Sequence, residues 1–364
     1  MKPLALIIVA LTTIWDEFLH LLSYRSAANP MPDNVKDVYD AERYQKWQSY
    51  NRDKTRLAML STGVSGLLMF ILLLFNAHAA VVPADWSVYG QMIVVLLFQQ
   101  VLETVFSVAL NWVDTMKIEA KYGFNRTTTA TFIRDQIINF MLEFGLSVGL
   151  MCAFVALHRA LGDWIAVLFA GVLFLFGLAI SFLYPILSRI RNKFTPLEEG
   201  ELRTRLTDLM AKHGYHVREI QVMDASKRST KSNAYFPGFG HMKTIVLYDN
   251  LLNVMTTDEI CAIFAHEMGH GLHKDTLKMQ LMNLLRMAMM ALCLWLTVRT
   301  DAPFTAFGFA GVNYGFALLF AGAVELSVLN PLFELVFNAF SRRQEYRADR
   351  QAVAEATARR SSAA

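Results

Sequence analysis

Long apolar segments constrain the fold of this chain more than any other feature. The hydrocarbon core of a bilayer is about 30 Å thick, and a helix needs about 20 apolar residues to cross it. Seven segments meet this requirement, at residues 4–22, 57–82, 88–111, 137–157, 163–187, 279–298 and 304–338. The sequence therefore predicts a mainly α-helical, polytopic membrane protein with seven transmembrane helices.

The composition agrees with this class of protein and excludes several others. Of the 364 residues 54% are apolar and 18% are charged, whereas soluble domains carry about 25% charged residues. Lysine and arginine are spread along the chain and the net charge is only +3, which argues against a nucleic-acid partner. The three cysteines have no metal-ligand spacing, so we expect free thiols rather than a disulfide framework.

The first segment is the weakest of the seven, because Asp16 and Glu17 interrupt it. A cleaved signal peptide is the alternative interpretation. However, Lys2 alone is a weak basic start, and acidic residues are unusual in such a peptide. We expect the segment to be retained as a helix.

The distribution of basic residues predicts the orientation in the membrane. With the N-terminus outside or in a lumen, four internal stretches hold 30 of the 34 lysine and arginine residues; they are 24–56, 112–136, 188–278 and 339–364. The positive-inside rule therefore predicts a cytoplasmic C-terminus.

Several predicted helices carry ionisable side chains, which are costly where they face lipid. They are Asp16, Glu17, Glu103, Glu143, Arg286, Glu325 and Glu334. These side chains either pair between helices or line a water-filled chamber inside the bundle, and the sequence leaves both interpretations open.

The stretch between predicted helices 5 and 6 is long enough to fold into a small α+β region. Thr195 and Pro196 resemble the start of a helix that Gly214 ends. Extended runs follow at 216–223, 233–236 and 243–248, and a helix is predicted from about Thr257 to Leu272.

These features divide the chain into four predicted regions. They are 1–187 with helices 1–5, 188–278 with the α+β region, 279–349 with helices 6 and 7, and 350–364 as a disordered tail.

The sequence His-Glu-Met-Gly-His at residues 266–270 indicates a metal site. Positions i and i+4 of a helix share one face, so His266 and His270 can both ligate a zinc ion at about 2.0–2.1 Å. Glu267 is offset by about 100° around the helix, near enough to hold a water molecule without being a ligand. His273 lies at i+7 and is not needed to complete a ligand set.

A catalytic zinc takes three protein ligands and keeps a fourth position open. The segment from Asn338 to Asp349 offers the third ligand in Glu345. Asp349 lies one turn further on the same helical face, where a carboxylate can accept the second ring N–H of a ligating histidine.

Four ordered stretches of the sequence carry a family resemblance. They are IEAKYGFNRTT at 118–128, SNAYF at 232–236 with IVLYD at 245–249, HEMGH at 266–270, and NAFSRRQEYRAD at 338–349. Together they resemble the type I CAAX prenyl endopeptidases, integral-membrane zinc metalloproteases with seven transmembrane helices. The resemblance runs from about Tyr39 to Asp349, nearly the whole chain.

The resemblance implies a zincin-like catalytic region that binds one zinc ion per chain. His266, His270 and Glu345 are the implied ligands. Glu267 is the implied general base. Asp349 is the implied carboxylate that accepts a hydrogen bond from a ligating histidine.

The resemblance also implies roles around this centre. Arg342 is expected in the network that surrounds the site. Asn233, Ala234 and Tyr235 resemble an edge strand that pairs with an extended substrate. A turn or cap role is the alternative for Asn233.

The implied activity is hydrolysis of peptide bonds near the C-terminus of prenylated CAAX-type or other membrane-associated peptides. The implied partners are such a peptide or protein and the lipid bilayer. A bacterial inner membrane fits better than endoplasmic reticulum.

The chain departs from the family after Asp349, where it stops within fifteen residues. Family members continue with a portion that supplies groups near the oxyanion. No residue of this sequence matches those groups, so the resemblance leaves that role unassigned. A general quality-control metalloprotease, a zinc-binding pseudoprotease and a seven-helix transporter remain as alternatives.

Overall fold

The computed structural model describes residues 1–33, 36, 40–227, 230, 233–235 and 242–363. The helices are, in chain order, α1 (Lys2–Ser26), α2 (Ala41–Leu74), α3 (Ala77–Ala80), α4 (Val88–Trp112), α5 (Thr129–Leu161), α6 (Ile165–Arg191), α7 (Glu201–Lys212), α8 (Asp249–Val254), α9 (Thr257–Leu272), α10 (Asp275–Val298), α11 (Ala302–Ala306), α12 (Tyr314–Phe320) and α13 (Ser327–Ala363). The strands are β1 (Phe194–Pro196), β2 (His216–Met223), β3 (Ala234–Tyr235) and β4 (Met242–Tyr248).

Six helical stretches of the described residues are long and apolar enough to cross a membrane. They are Lys2–Ser26, Ala41–Leu74, Val88–Glu119, Thr129–Trp164, Asp275–Val298 and Tyr314–Ala356. Helix α6 carries a shorter apolar stretch, Val167–Ile180, at the position of the fifth predicted segment. The prediction of a mainly helical, multi-pass membrane protein with a small α+β region is confirmed.

The apolar segment predicted at 304–338 is only partly a spanning helix. Its first part forms the short helix α11 and a turn at Gly308, whose φ of +85° favours glycine. Phe304 and Phe307 in this part are buried and pack against Phe316. Residues 304–313 are therefore apolar because they include side chains of the buried core. The stretch that is long enough to span begins at Tyr314.

The chain divides into two compact units. The first comprises Met1–Gly171 and Met287–Pro331, and the second comprises Val172–Arg286 and Leu332–Ala364. The division passes through helices α6, α10 and α13, so the predicted region boundaries at residues 187, 278 and 349 stay a prediction.

In the first unit, α1 packs closely against α2. A Cβ atom at Gly66 would collide with the side chain of Thr13, so this contact depends on a small residue, as is common between membrane helices. The starts of α2, α4 and α5 are capped by the side chains of Asp40, Ser87 and Thr128, which accept backbone N–H groups of the first turn.

Glu103 and Glu143, two of the carboxyl groups predicted inside the membrane, have hydrogen-bond partners in this unit. Glu103 accepts from Gln99 at 2.6 Å, and Glu143 accepts from Gln100 of the neighbouring helix at 3.2 Å. Glu103, Glu143 and Gln100 also line a cavity of about 320 Å³. A hydrogen bond between helices, at Glu143, and a polar cavity therefore occur together in this part of the first unit.

The second unit contains a four-stranded sheet with the order β1-β2-β4-β3. Strand β2 runs parallel to β4, while β1 and β3 pair antiparallel with their neighbours. The short strand β3 is therefore an edge strand of this sheet. It lies beside β4, the strand that α8 and α9 follow in the chain.

The predicted helix start at Thr195 was wrong. Thr195 and Pro196 lie in strand β1, and helix α7 begins at Glu201. A residue before proline prefers extended backbone, and proline is tolerated in an edge strand because no ladder N–H is needed there.

One face of helix α9 forms the core of the second unit. Ile260, Phe264 and Met268 recur every four residues, are almost fully buried, and pack with Leu206 of α7 and Ile245 of β4. This packing holds the opposite face of α9, with residues 266 and 270, toward α13.

The disordered tail predicted at 350–364 was also wrong for the described part of the chain. Helix α13 continues to Ala363. Alanine, glutamate, glutamine and arginine, which dominate residues 350–360, are strong helix formers.

Candidate metal centre

The site is built on helix α9, whose first turn is closed by a capping box. The backbone N–H of Thr256 donates to Glu259 Oε2 at 2.8 Å, and the N–H of Glu259 donates to the Thr256 hydroxyl. Such a box satisfies two N–H groups that the helix itself leaves free. Helix α9 therefore has a defined start about two and a half turns before His266.

His266, His270 and Glu345 come together as predicted. One ligand atom from each lies within 4.8 Å of the others. The carboxylate Oε2 of Glu345 is 3.4 Å from Nε2 of His266 and 3.8 Å from Nε2 of His270. Two ligands of a tetrahedral zinc lie about 3.3 Å apart, so the three residues fit a zinc ion with small adjustments.

Each histidine is held from behind by a carboxylate. Nδ1 of His266 lies 2.9 Å from Asp349 Oδ1, and Nδ1 of His270 lies 3.2 Å from Asp275 Oδ2. An ionised carboxylate can only accept, so Nδ1 of each ring carries the proton. The lone pair of each Nε2 is then free toward Glu345, which is the arrangement that a metal requires.

A glycine allows the two ligand-bearing helices to approach. A Cβ atom at Gly269 would lie 3.0 Å from the Cα of Ala348 and 3.2 Å from the Cβ of Gln351. Ala348 is itself fully buried. Gly269 and Ala348 together therefore set the distance between α9 and α13, and with it the reach of Glu345.

Glu267 lies next to His266 and is half-buried. Burial raises the pKa of its carboxyl; the neighbouring His266 and His270 oppose this rise, and the charge of Glu345 adds to it. A pKa raised in this direction suits a group that takes and later returns a proton.

Arginine takes part in this network at a different position from the predicted one. Arg342 is exposed and makes no ion pair with the three metal-binding residues in the described part of the chain, so its role stays a prediction. Arg347 instead donates to Asp275 at 2.8 Å. Neither Asp275 nor Arg347 was predicted, because the contact of Asp275 with His270 depends on a break between α9 and α10 that the sequence does not indicate.

The predicted substrate strand lies at the free edge of the sheet. The carbonyl of Asn233 accepts from the N–H of Tyr248 in β4 at 3.0 Å, and Ala234 pairs with Leu247. The side chain of Asn233 accepts from the N–H of Ala234 at 2.8 Å. Asn233 thus caps its own strand, while Ala234 and Tyr235 keep the edge position expected for substrate pairing.

The IEAKYGFNRTT stretch has a structural role in the first unit. Glu119 accepts from Tyr50 of α2 at 2.7 Å, and Asp53 of α2 accepts from both Lys121 and Tyr122. This part of the resemblance therefore lies in contacts that fasten a helix end to α2.

Two family models match the chain along nearly its whole length. "CAAX prenyl protease N-terminal, five membrane helices" matches residues 20–189, and "Peptidase family M48" matches residues 196–363. With the multi-pass helices and the His-His-Glu group, these matches define a membrane-embedded protein of the M48 peptidase class.

Individual relatives narrow this class. A probable CAAX prenyl protease 1 of Schizosaccharomyces pombe is 31% identical over 92% of this chain and 75% of that protein. A CAAX prenyl protease 1 homolog of Oryza sativa subsp. japonica is 30% identical over 71% of this chain, and the match spans 64% of the rice protein. The chain belongs to the CAAX prenyl protease 1 family.

A solved structure shows the same fold. The crystal structure of S. mikatae Ste24p superposes with a TM-score of 0.88, covering 96% of this chain and 88% of that one at 23% identity.

Proposed function

We propose that this protein is a zinc-dependent membrane endopeptidase that binds one Zn²⁺ through His266, His270 and Glu345. The observation that carries the proposal is the convergence of two imidazole Nε2 atoms on one carboxylate oxygen, at 3.4 and 3.8 Å. A histidine pair with a third carboxylate ligand and an open position is typical of catalytic rather than structural zinc.

The residues around this centre divide the work of peptide hydrolysis. A bound zinc would polarise the scissile carbonyl and make a water molecule more acidic. Glu267 takes the proton from the attacking water and delivers it to the leaving amine. Asp349 and Asp275 keep the protons of His266 and His270 on Nδ1 throughout.

The edge strand supports binding of an extended peptide. Strand addition uses backbone hydrogen bonds for affinity and side-chain pockets for specificity. The N–H of Ala234, which the side chain of Asn233 now occupies, is one group that such a peptide would engage. The peptide would thereby lie along β3 in the unit that also holds the metal-binding residues.

The substrate class that we propose is a membrane-associated peptide with an isoprenoid near its C-terminus. Relatives of this chain are named as CAAX prenyl proteases, which supports this class. The six apolar helical stretches of the described residues suit a membrane, where a lipidated peptide resides. We further propose that the N-terminus lies outside or in a lumen and the C-terminus in the cytoplasm, in a bacterial inner membrane rather than endoplasmic reticulum.

The test is cleavage of a farnesylated CAAX-type peptide and of its unprenylated twin by the purified protein. We expect cleavage of the farnesylated peptide, and its loss after treatment with a zinc chelator. Glu267→Gln should retain one zinc per chain and lose at least about 10²-fold in kcat, the lower range for a general base.

The other outcomes identify the alternatives. Equal cleavage of both peptides would indicate a general membrane protease without a lipid requirement. Bound zinc without cleavage of either peptide would indicate a zinc-binding protein that is not an enzyme by itself. Absence of zinc from the purified and zinc-supplemented protein would refute the proposal.

A further inference from the structure

The geometry points to Asp275 as a positioning residue for His270, held in place by Arg347 from the helix that carries Glu345. We infer that this pair of residues sets the affinity of the metal site more strongly than Asp349 does. The inference rests on the zinc site proposed above and adds two residues that act behind its ligands.

Asp275 is the most deeply buried carboxylate near the site. Its side chain is 3% exposed, whereas that of Asp349 is 63% exposed. Both oxygens of Asp275 are used: Oδ2 faces His270, and Oδ1 accepts from Lys278 at 3.1 Å and Arg347 at 2.8 Å. A buried charge is retained only when it is fully paired, and here the pairing fixes both oxygens.

A break between two helices brings Asp275 back to His270. On a continuous helix, position i+5 would point about 140° away from position i. Helix α9 ends at Leu272, Lys274 adopts a left-handed φ of 55°, and α10 begins at Asp275. Lysine is unfavourable in this conformation, so the junction persists because surrounding contacts impose it.

The guanidinium of Arg347 contacts the aspartate at this junction. Arg347 lies two residues after Glu345 on α13, and its Nη2 donates to Asp275 Oδ1. Its Nε is buried and has no hydrogen-bond partner among the described residues. The bond from Nη2 to Asp275 is therefore the main polar contact that we assign to this side chain. Arg347 thus connects α13, the helix of Glu345, to Asp275, and Asp275 in turn orients the ring of His270.

This arrangement predicts unequal effects of the two carboxylates. A hydrogen bond between buried, charged groups is stronger than the same bond in water, because the surroundings screen it less. Loss of a carboxylate behind a ligating histidine weakens metal binding by about 10–100-fold. Asp275 should lie at the upper end of this range and Asp349 at the lower end.

The experiment measures zinc dissociation constants by competition with a chromophoric chelator, using the detergent-purified full chain. We expect Asp275→Asn to bind zinc about 10–100-fold more weakly than the parent, and Asp349→Asn to be affected less. Asp258→Asn is the matched control, since this exposed aspartate on α9, the helix of His270, pairs with Arg205 and should leave zinc affinity unchanged.

A second measurement separates positioning from general stability. The absorption spectrum of the Co²⁺-loaded protein reports the ligand geometry, and thermal unfolding of the zinc-free protein reports stability. A positioning role predicts a changed spectrum and weaker zinc binding in Asp275→Asn, with zinc-free unfolding close to the parent. Zinc affinity within twofold of the parent and an unchanged spectrum would overturn the inference.

Arg347→Gln keeps the inference testable if Asp275→Asn does not fold. This variant should weaken zinc binding in the folded protein, and the effects of Arg347→Gln and Asp275→Asn should not add where both fold. Unchanged zinc affinity in folded Arg347→Gln would refute the role of the pair. A parent protein that binds no zinc would refute the proposed function itself, and this inference with it.

Discussion

At the scale of single residues, the two histidines of the centre are oriented by the carboxylates that contact their Nδ1 atoms. His266 and His270 offer Nε2 to a metal because Asp349 and Asp275 hold their Nδ1 protons. Asp349 was predicted, since it follows Glu345 by four residues on one helical face. Asp275 was not, because its contact with His270 requires a helix break and a left-handed lysine that no sequence pattern announced.

Gly269→Ala tests the close approach of α9 and α13. The added methyl group would lie 3.0 Å from the backbone of Ala348, so the helices must separate. We expect a loss of about 1–3 kcal/mol in stability, as for overpacked cores, together with weaker zinc binding. Thermal unfolding and chelator competition measure the two effects.

Gly145→Ala is the control for this substitution. Among the described residues, no atom outside the local backbone of its own helix lies within 4 Å of a Cβ at Gly145. The change should therefore be neutral or slightly stabilising, because alanine has the higher helix propensity. Parental zinc affinity in Gly269→Ala would mean that the helix separation does not determine the metal site.

Helix α9 shows which elements the sequence predicts well. Its bounds, Thr257–Leu272, agree with the prediction, because a capping box, a four-residue apolar repeat and a polar break all indicate the same helix. Helix α7 was misplaced at its start, because Thr195 and Pro196 satisfy the rules for a helix start and equally those for an edge strand. Only the pairing with β2, a contact distant in sequence, decides between them.

Thr256→Ala tests the cap of this helix. The change removes the hydroxyl that accepts from Glu259 N–H and leaves a donor without its partner. We expect a loss of about 1 kcal/mol in stability, the usual cost of removing a threonine cap. Thermal unfolding of the zinc-free protein measures it.

The neighbouring substitution Thr257→Ala supplies the comparison. Thr257 lies inside the first turn and has no capping role, so its replacement should change stability by less than about 0.5 kcal/mol. Equal losses in both variants would show that the capping box does not stabilise α9.

The whole molecule follows the predicted pattern of membrane segments, except at residues 304–313. Among the described residues six helical stretches are long and apolar enough to span, and the fifth predicted segment lies in α6, where the apolar stretch is Val167–Ile180. Hydropathy predicts segments well because every backbone polar group in lipid must be satisfied within the helix. It cannot distinguish a spanning run from apolar core, which is why 304–313 was included in the last predicted helix.

Cysteine labelling in intact cells tests the proposed orientation. In a background without the three native cysteines, Asp163→Cys should react with a membrane-impermeant maleimide from outside. Asp33→Cys should react only after lysis, because its stretch carries the basic residues that stay in the cytoplasm. Both aspartates are well exposed, at 65% and 92% of the side chain. The opposite labelling pattern would reverse the orientation.

The distance along the chain between the ligands has a consequence for biosynthesis. A ribosome makes Glu345 75 residues after His270, and helices α10, α11 and α12 are inserted in the interval. During that time the nascent protein contains His266, Glu267 and His270 but not yet Glu345. The group of His266, His270 and Glu345 is therefore complete only after α13 has been synthesised, so under the function proposed above a half-translated chain lacks the full zinc site.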